Sequence, residues 1–337
     1  MTRPAVSAPD ALSPEALADA RRSQPWRGLR GLVFVLPVAA ALVVGAGGPA
    51  HSAAVLAPAV TFALPLVAMI AFWWEDWPGS LARPGWSGLY DTLLVIAGGA
   101  VLTWLGKSIV ASPLPLAGGI FTIMLQLTLV CERWPLAGLR RTTSGFAALG
   151  LCWVAGLVAF LLLVRSGVVP GETYGAWFTV LGAWQMIWYV ALRGWPFARI
   201  PRRPVRLLTA NVAVVACAWG TYLVGAQVAE PSRITAVAGA CIASVLVVSM
   251  LFEAWPAVLL TPLPGRTLAL VAVAVLTVVL SWLFRVVAEA AGVSQVDGWV
   301  THALLNSLSL AVILHVAVWR RVLGPALRRP QHAEVRR

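Results

Sequence analysis

A short phrase recurs along the chain at the ends of apolar runs: an acidic residue, any residue, then Trp-Pro. The copies are Glu75-Asp76-Trp77-Pro78, Glu132-Arg133-Trp134-Pro135, Glu253-Ala254-Trp255-Pro256 and, with Arg in the acidic position, Arg193-Gly194-Trp195-Pro196. The tryptophans are 57, 61 and 60 residues apart. Because one apolar run lies on each side of every phrase, this spacing predicts a two-helix unit that is repeated along the chain.

The composition requires lipid as the solvent of this fold. Of the 337 residues, 60% are hydrophobic and 11% are charged, whereas soluble domains carry about 45–50% apolar and about 25% charged residues. The chain also has 17 tryptophans, and this residue is favoured where a membrane meets water. We therefore predict an all-α integral membrane protein.

Ten apolar runs approach the length of about 20 residues that a membrane-spanning helix needs. The predicted helices are 30–47, 54–76, 88–110, 116–133, 145–165, 174–194, 205–228, 233–254, 266–288 and 299–319. We expect them to form five tandem hairpins, each an outgoing helix and a returning helix. The first four returning helices end at a Trp-Pro phrase, and the fifth ends at Trp319-Arg320 without the proline. Residues 1–29 are predicted to be a disordered tail, 30–320 the transmembrane domain and 321–337 a basic tail.

The basic residues are distributed unequally between the two ends of these helices. Four of the 25 Lys and Arg residues, Lys107, Arg165, Arg233 and Arg285, fall on one side, and the other 21 fall on the side of both termini. The positive-inside rule then predicts a plasma (inner) membrane protein with both termini and every Trp-Pro phrase in the cytoplasm. The Arg21-Arg22 pair before the first run faintly resembles a twin-arginine signal, but we expect that run to be retained.

The expected partners follow from the same distribution of charge. The basic residues lie in short loops beside apolar runs and do not form one folded basic face, so nucleic acid is not expected as a partner. Membrane lipid is the expected partner, and other membrane subunits remain an open alternative.

Each residue type in the phrase has a physical role at the end of a returning helix. Proline stops the helix, because it lacks an N–H and disfavours helical geometry in the residue before it. Tryptophan is expected at headgroup depth, with the carboxylate about 3 Å deeper along the helix axis. A carboxylate at a helix C-terminus opposes the macrodipole and calls for a cation. We therefore expect Glu–Arg pairs that close each loop onto its own helix.

The charged positions of the phrases are candidate binding residues, namely Glu75, Glu132, Arg193 and Glu253. Arg193 is expected to pair with Glu132 or Glu253 of a neighbouring unit. The alternative is that the phrase serves only as a structural anchor, formed by Trp77, Pro78, Trp134, Pro135, Trp195, Pro196, Trp255 and Pro256.

The last apolar run holds the most polar residues. His302, Asn306 and Ser309 are spaced i, i+4 and i+7, so they share one helical face that we expect to look into the bundle. His302 and Asn306 are therefore further candidate binding residues, because polar groups within membranes are costly and often functional. Hydrogen bonding within the bundle is the alternative.

No metal or cofactor is predicted. A metal site built from His302, Glu289 and Asp297 is conceivable, since all three side chains are usable ligands. The spacing of the four cysteines, however, matches no metal or redox motif.

The sequence leaves three functions open. The phosphate-binding loop, nucleophile-elbow and zinc-protease motifs do not occur. We favour a permease or channel-like carrier for a small molecule, because transporter folds are often built from repeats. The alternatives are an enzyme acting on a lipidic or isoprenoid substrate, with Glu75, Glu132 and Glu253 as acids, and a structural or accessory subunit of a membrane complex.

Overall fold

The structure of the protein is a computed structural model that describes residues 24–75, 77–83 and 86–319. This part of the chain is helical and contains no β-strand. The ten long helices are α1 (Trp26–Val44), α2 (Pro49–Trp73), α3 (Ser87–Ile109), α4 (Pro113–Val130), α5 (Arg141–Arg165), α6 (Gly171–Met186, continued by Ile187–Ala191), α7 (Arg203–Gly225), α8 (Pro231–Leu251), α9 (Pro262–Ala290) and α10 (Val296–Trp319).

The predicted fold class is confirmed. Within the described residues, nine of the ten helices are long and apolar enough to cross a membrane. Helix α6 is the exception because Trp, Tyr and Gln side chains make it less apolar. The first helix begins at Trp26, earlier than the predicted residue 30. Of the predicted tails, residues 24–29 are described and residues 26–29 belong to α1. Residues 1–23 and 321–337 lie outside the described residues.

The even-numbered helices form a closed inner ring. Helix α2 packs against α4, α4 against α6, α6 against α8, α8 against α10, and α10 returns to α2. Small residues permit the close approach that membrane helices need. A Cβ on Gly119 of α4 would overlap Tyr174 of α6, and one on Gly239 of α8 would press on Leu305 of α10.

The odd-numbered helices form an outer ring around the inner one. Each packs mainly on the inner helix that precedes it in the chain, and α1 packs on α10 and so completes the outer ring. Gly156 of α5, for example, lies so close to Ile120 of α4 that a Cβ would overlap it. An outer helix therefore packs more closely on the inner helix before its Trp-Pro turn than on the returning helix of its own predicted hairpin. A tandem repeat of five hairpins stays a prediction.

The outer ring presents apolar side chains away from the bundle. Most exposed large hydrophobic residues lie on odd-numbered helices, and they include Trp104, Trp219 and Trp282. Helix α1 is built into this arrangement, since its Val35 is fully buried. Such a surface is unfavourable in water and suits the hydrocarbon of a bilayer.

The four Trp-Pro turns share one backbone course. The preceding inner helix ends in a π-helical segment, which is Met69–Trp73, Gln126–Val130, Ile187–Ala191 or Leu246–Leu251. The first residue of each phrase then has a left-handed φ, between 46° and 53°. A cis Trp-Pro bond follows, and a short 3₁₀ helix comes directly after the proline in all four turns.

This geometry corrects the role that the sequence suggested for proline. The four inner helices before the Trp-Pro turns each end three residues before the predicted end, at Trp73, Val130, Ala191 and Leu251. Left-handed residues are common helix terminators, because they turn the chain and let late amides bond to earlier carbonyls. Here the amides of Arg133, Gly194 and Ala254 each bond to a carbonyl six residues back. The helix is thus stopped by the left-handed residues, and the tryptophan lies in the turn beyond it.

Candidate functional site

The acidic residues of the turns form ion pairs at the end of the bundle that carries the four Trp-Pro turns, which we call the Trp-Pro rim. Glu132 accepts hydrogen bonds from Arg206 Nε at 2.7 Å and Arg206 Nη2 at 2.9 Å, and Arg203 Nε lies 3.4 Å from it. Glu75 lies 3.7 Å from Arg141. The Glu–Arg pairs form, but each joins an inner helix to the outer helix of a later turn. The prediction that they close a loop onto its own helix is wrong.

The predicted pairing of Arg193 is also not found. Within the part of the chain that the structure describes, Arg193 forms no ion pair with Glu132 or Glu253. Glu132 is already paired with Arg203 and Arg206 at the start of α7, and Arg193 is exposed at the bundle surface. Glu253 is half-buried in its own turn.

The tryptophans of the turns take different positions. Trp77 packs edge-on against Trp74 and Phe146, and Trp195 lies under the Arg266 guanidinium at 5.1 Å from its ring centre. Trp134 and Trp255 are exposed. This range of environments is compatible with anchoring at an interface and does not resemble a shared binding site.

A cavity of about 390 Å³ opens at the Trp-Pro rim between α4, α6 and α7, and we call it the rim cavity. Its lining residues are Thr128, Leu129, Glu132, Arg133, Tyr189, Gly194, Phe197, Ala198 and Arg206. Of the candidate residues from the sequence, Glu132 lines this cavity, whereas Glu75, Arg193, Glu253, His302 and Asn306 do not.

Two lining side chains of the rim cavity have unused donors. The Arg133 guanidinium lies over the Trp73 ring, 5.7 Å from its centre, and forms no ion pair with a carboxylate of the described residues. The Tyr189 hydroxyl makes no hydrogen bond to another described residue. Arg206, by contrast, is held by Glu132 and by the Ile200 carbonyl at 3.3 Å.

A chain of amide side chains continues from the rim cavity into the bundle. Gln126 Nε2 donates to Asn211 Oδ1 at 2.6 Å, and Gln185 Nε2 donates to Gln126 Oε1 at 2.5 Å and to the Thr122 carbonyl at 3.2 Å. Gln185 is fully buried, and its Oε1 has no hydrogen-bond partner among the described residues. Gln126 and Gln185 thus face a common interior between α4 and α6.

Cys131 joins this amide chain near the rim. Its Sγ lies 3.7 Å from Asn211 Oδ1. Burial raises the pKa of the Cys131 thiol, and the hydrogen bond to Asn211 offsets this only in part. A thiol with a raised pKa is harder to ionise, and Cys131 serves here as a weak hydrogen-bond donor to Asn211.

A second, smaller cavity lies on the axis of the inner ring, and we call it the axial cavity. Its volume is about 20 Å³, room for about one water molecule. All five inner helices line it, through Ala68, Phe72, Phe121, Leu125, Leu129, Met186, Ile242, Leu246, Met250, Leu305, Ser309 and Ile313. Leu129 lines both cavities and therefore stands between them.

The polar face of α10 is buried, as the spacing predicted. His302 Nε2 lies 3.1 Å from the Leu42 carbonyl of α1, and Ser309 Oγ donates to the Leu304 carbonyl. Asn306 is buried, and its Oδ1 has no hydrogen-bond partner among the described residues. Ser309 lines the axial cavity, whereas His302 and Asn306 do not.

The two carboxylates considered for a metal site on α9 and α10 both face Arg285. Asp297 accepts a hydrogen bond from Arg285, and Glu289 lies 3.8 Å from the same guanidinium. Within the described ranges, no group of three metal-ligating side chains comes together.

Sequence reasoning missed most of the rim cavity. Arg203 and Arg206 stand three residues apart on α7, and Tyr189 follows Gln185 by four residues on α6. Residues three or four apart share a helical face. This spacing indicates that the members of each pair share a helical face, but it does not show that the two faces meet at one cavity.

The chain was compared with protein families, curated proteins and solved structures. No family model matches the chain, and no curated protein and no solved structure matches it either.

Proposed function

We propose that the protein is a carrier for a small polar molecule in the plasma membrane, with the Trp-Pro rim facing the cytoplasm. The observation that carries this proposal is that two hydrogen-bonded amides, Gln126 and Gln185, lie on α4 and α6 close to the residues that line the rim cavity. Gln185 lies one helical turn beyond the lining residue Tyr189, and Gln126 lies just beyond Thr128. A polar solute that enters at the rim thus meets further polar groups inside the bundle.

The depth of this polar track supports a site inside the membrane. It begins at Glu132 in the turn after α4 and reaches the Thr122 carbonyl inside that helix. The eight residues from the helix end at Val130 back to Thr122 cover about 12 Å at a rise of 1.5 Å per residue. The hydrocarbon core is about 30 Å thick, so the track ends near the middle of the bilayer, where transporters commonly place their substrate sites.

The closed axis favours a carrier over an open channel. Apart from Ser309, the lining of the axial cavity is apolar, and the cavity holds about 20 Å³. Passage of a solute therefore requires the inner helices to separate, beginning at Leu129 between the two cavities. Such a rearrangement around a central site is the alternating access of carriers.

The arrangement of the acidic residues gives less support to an enzyme. Glu75 pairs with Arg141, whereas Glu132 is clamped by Arg203 and Arg206. Of the three proposed acids, Glu132 alone lines the rim cavity. Acid catalysis on a lipidic substrate would need a carboxyl group that is available to donate its proton.

The carrier is tested by access to Leu129 from the two faces of the membrane. In a variant in which Cys131, Cys152, Cys217 and Cys241 are replaced by Ala, Leu129→Cys is labelled with a membrane-impermeant maleimide. A carrier gives labelling from the rim face and, more slowly, from the opposite face. Leu162→Cys is the control, because this outer-ring side chain is 65% exposed towards lipid and is expected to stay unlabelled. Labelling of Leu129→Cys from one face alone contradicts the carrier and favours an accessory subunit.

A further inference from the structure

We infer that the rim cavity binds its ligand through an anionic carboxylate or phosphate group, held by Arg133 and Tyr189. The inference names the substrate class of the proposed carrier and so rests on the same cavity. Binding at equilibrium is nevertheless separate from transport, and the two can fail independently.

The local balance of charge favours an anion. Arg133, Arg203 and Arg206 supply three positive charges around Glu132, the one carboxylate among these four residues. Three minus one leaves an excess of two positive charges at the edge of an apolar bundle. Uncompensated charge beside a medium of low dielectric constant is unfavourable, and a bound anion relieves it.

The use of the donors identifies Arg133 as the available cation. Arg206 already directs its Nε and Nη2 to Glu132 and its Nη1 to the Ile200 carbonyl. Arg203 also faces Glu132, through Nε and through a 3.5 Å contact of Nη2 with the Glu132 carbonyl. Arg133 has no such carboxylate partner among the described residues, and its guanidinium lies over the Trp73 ring, 5.7 Å from its centre. A cation–π contact uses none of the guanidinium N–H donors, so they remain available for a bidentate anion.

The size and lining of the cavity fit a small organic anion. A volume of about 390 Å³ falls within the range of about 300–1,000 Å³ that is typical of small-molecule sites. The Tyr189 hydroxyl supplies a further donor, and Phe197 and Leu129 supply apolar walls. The anionic group has two possible sources, a free solute or the headgroup of a lipid at the membrane surface.

The test is anion-dependent thermal stabilisation of the purified full-length protein. Maltoside micelles are used, because this detergent carries neither phosphate nor carboxylate. Succinate and inorganic phosphate are titrated separately, with KCl holding the ionic strength constant. A ligand that binds the folded state raises its stability in a saturable way.

The matched variants are Arg133→Gln and Arg140→Gln. Arg140 is an exposed arginine of the same loop that does not line the cavity. We expect wild type and Arg140→Gln to respond alike to at least one of the two anions, and Arg133→Gln to show at least a tenfold higher Kd. Arg133→Lys, which keeps the charge and loses the planar fork, should lie between them, and Tyr189→Phe should raise Kd about three- to tenfold.

Two results overturn the inference: neither anion stabilises the wild type, or Arg133→Gln responds as well as Arg140→Gln. Melting temperatures without anion show whether each variant is folded. Micelles doped with phosphatidylglycerol separate the two sources of the anion. If this lipid competes with succinate, a headgroup phosphate is the occupant, and if it does not, a free anion is. One-sided labelling of Leu129→Cys with intact succinate binding would remove the carrier and leave the anion site in place.

Discussion

The inner and outer rings are similarly apolar, yet they occupy different environments. The inner helices α2, α4, α8 and α10 have hydropathies of 1.6 to 2.3, and the outer helices have 1.6 to 2.6. In their most apolar windows, 56% to 78% of inner-ring residues are buried, against 11% to 22% in the outer ring. By mean apolarity both sets could cross a membrane, and this measure does not show which set contacts lipid.

The difference between the rings lies in their uncharged polar side chains and in their neighbours. Gln126, Gln185 and Asn306 are on inner helices, where each meets protein, and Asn211 of the outer helix α7 faces inward to Gln126. Trp104, Trp219 and Trp282 are on outer helices and are exposed. Lipid cannot satisfy the hydrogen bonds of an amide, so amides in a membrane bundle mark the side that faces other helices.

The largest expected effect comes from removing packing in one ring and not in the other. Leu246→Ala removes most of a buried side chain on α8, which is 1% exposed and also lines the axial cavity. We expect a loss of about 2–5 kcal/mol in the free energy of unfolding, because the site cannot collapse fully. Leu162→Ala, on the lipid face of α5, should cost about 0.5 kcal/mol or less. Unfolding in mixed micelles with increasing dodecyl sulfate measures both, and equal losses would break the distinction between the rings.

A smaller effect is expected where the two rings touch. Gly156 and Gly150 lie on the same outer helix, α5, but a Cβ on Gly156 would overlap Ile120 of α4, whereas one on Gly150 meets open space. Gly156→Val should destabilise the protein by about 1–3 kcal/mol through overpacking. Gly150→Val has the same change in helix propensity and is the control, with an expected change near zero. A stable Gly156→Val protein would show that α5 is not docked as described.

The smallest effect concerns the ion pairs that tie the rings together at the Trp-Pro rim. Glu132 binds Arg206 through two short hydrogen bonds, whereas Glu75 is half-exposed and 3.7 Å from Arg141. Glu132→Gln should therefore cost about 1 kcal/mol, and Glu75→Gln about 0.5 kcal/mol or less. The Glu75 effect should vanish in 1 M salt, since exposed pairs are screened, while part of the Glu132 effect persists. Thermal melts at low and high salt test this order, which is contradicted if Glu75→Gln is the more damaging change.

Several features of the fold were accessible from the sequence because they depend on local chemistry. Ten apolar runs gave ten helices, and the spacing of His302 and Asn306 gave their burial on α10. The positions of the turns followed from the Trp-Pro phrases. The backbone conformation of the turns did not follow from the sequence. Left-handed φ values are uncommon for residues other than glycine, and here they occur at Glu or Arg.

The candidate site was less accessible because it joins distant parts of the chain. Arg203 and Arg206 reach Glu132 across 71 and 74 residues. Nothing in the sequence separates Leu129 from the many other leucines, although it stands between the two cavities. Glu132 was identified as a candidate, but as the partner of a nearby loop arginine and not as the wall of a cavity.

By itself, the sequence determined that this chain uses lipid as its solvent, that it crosses as helices and where those helices turn. The reason is that a backbone in hydrocarbon must satisfy its own hydrogen bonds, and a helix does so locally. The tertiary structure alone decided which helices form the inner ring, which arginine meets which glutamate and where a cavity remains. Those outcomes depend on how the shapes of equally apolar helices fit together, and hydropathy carries no information about shape.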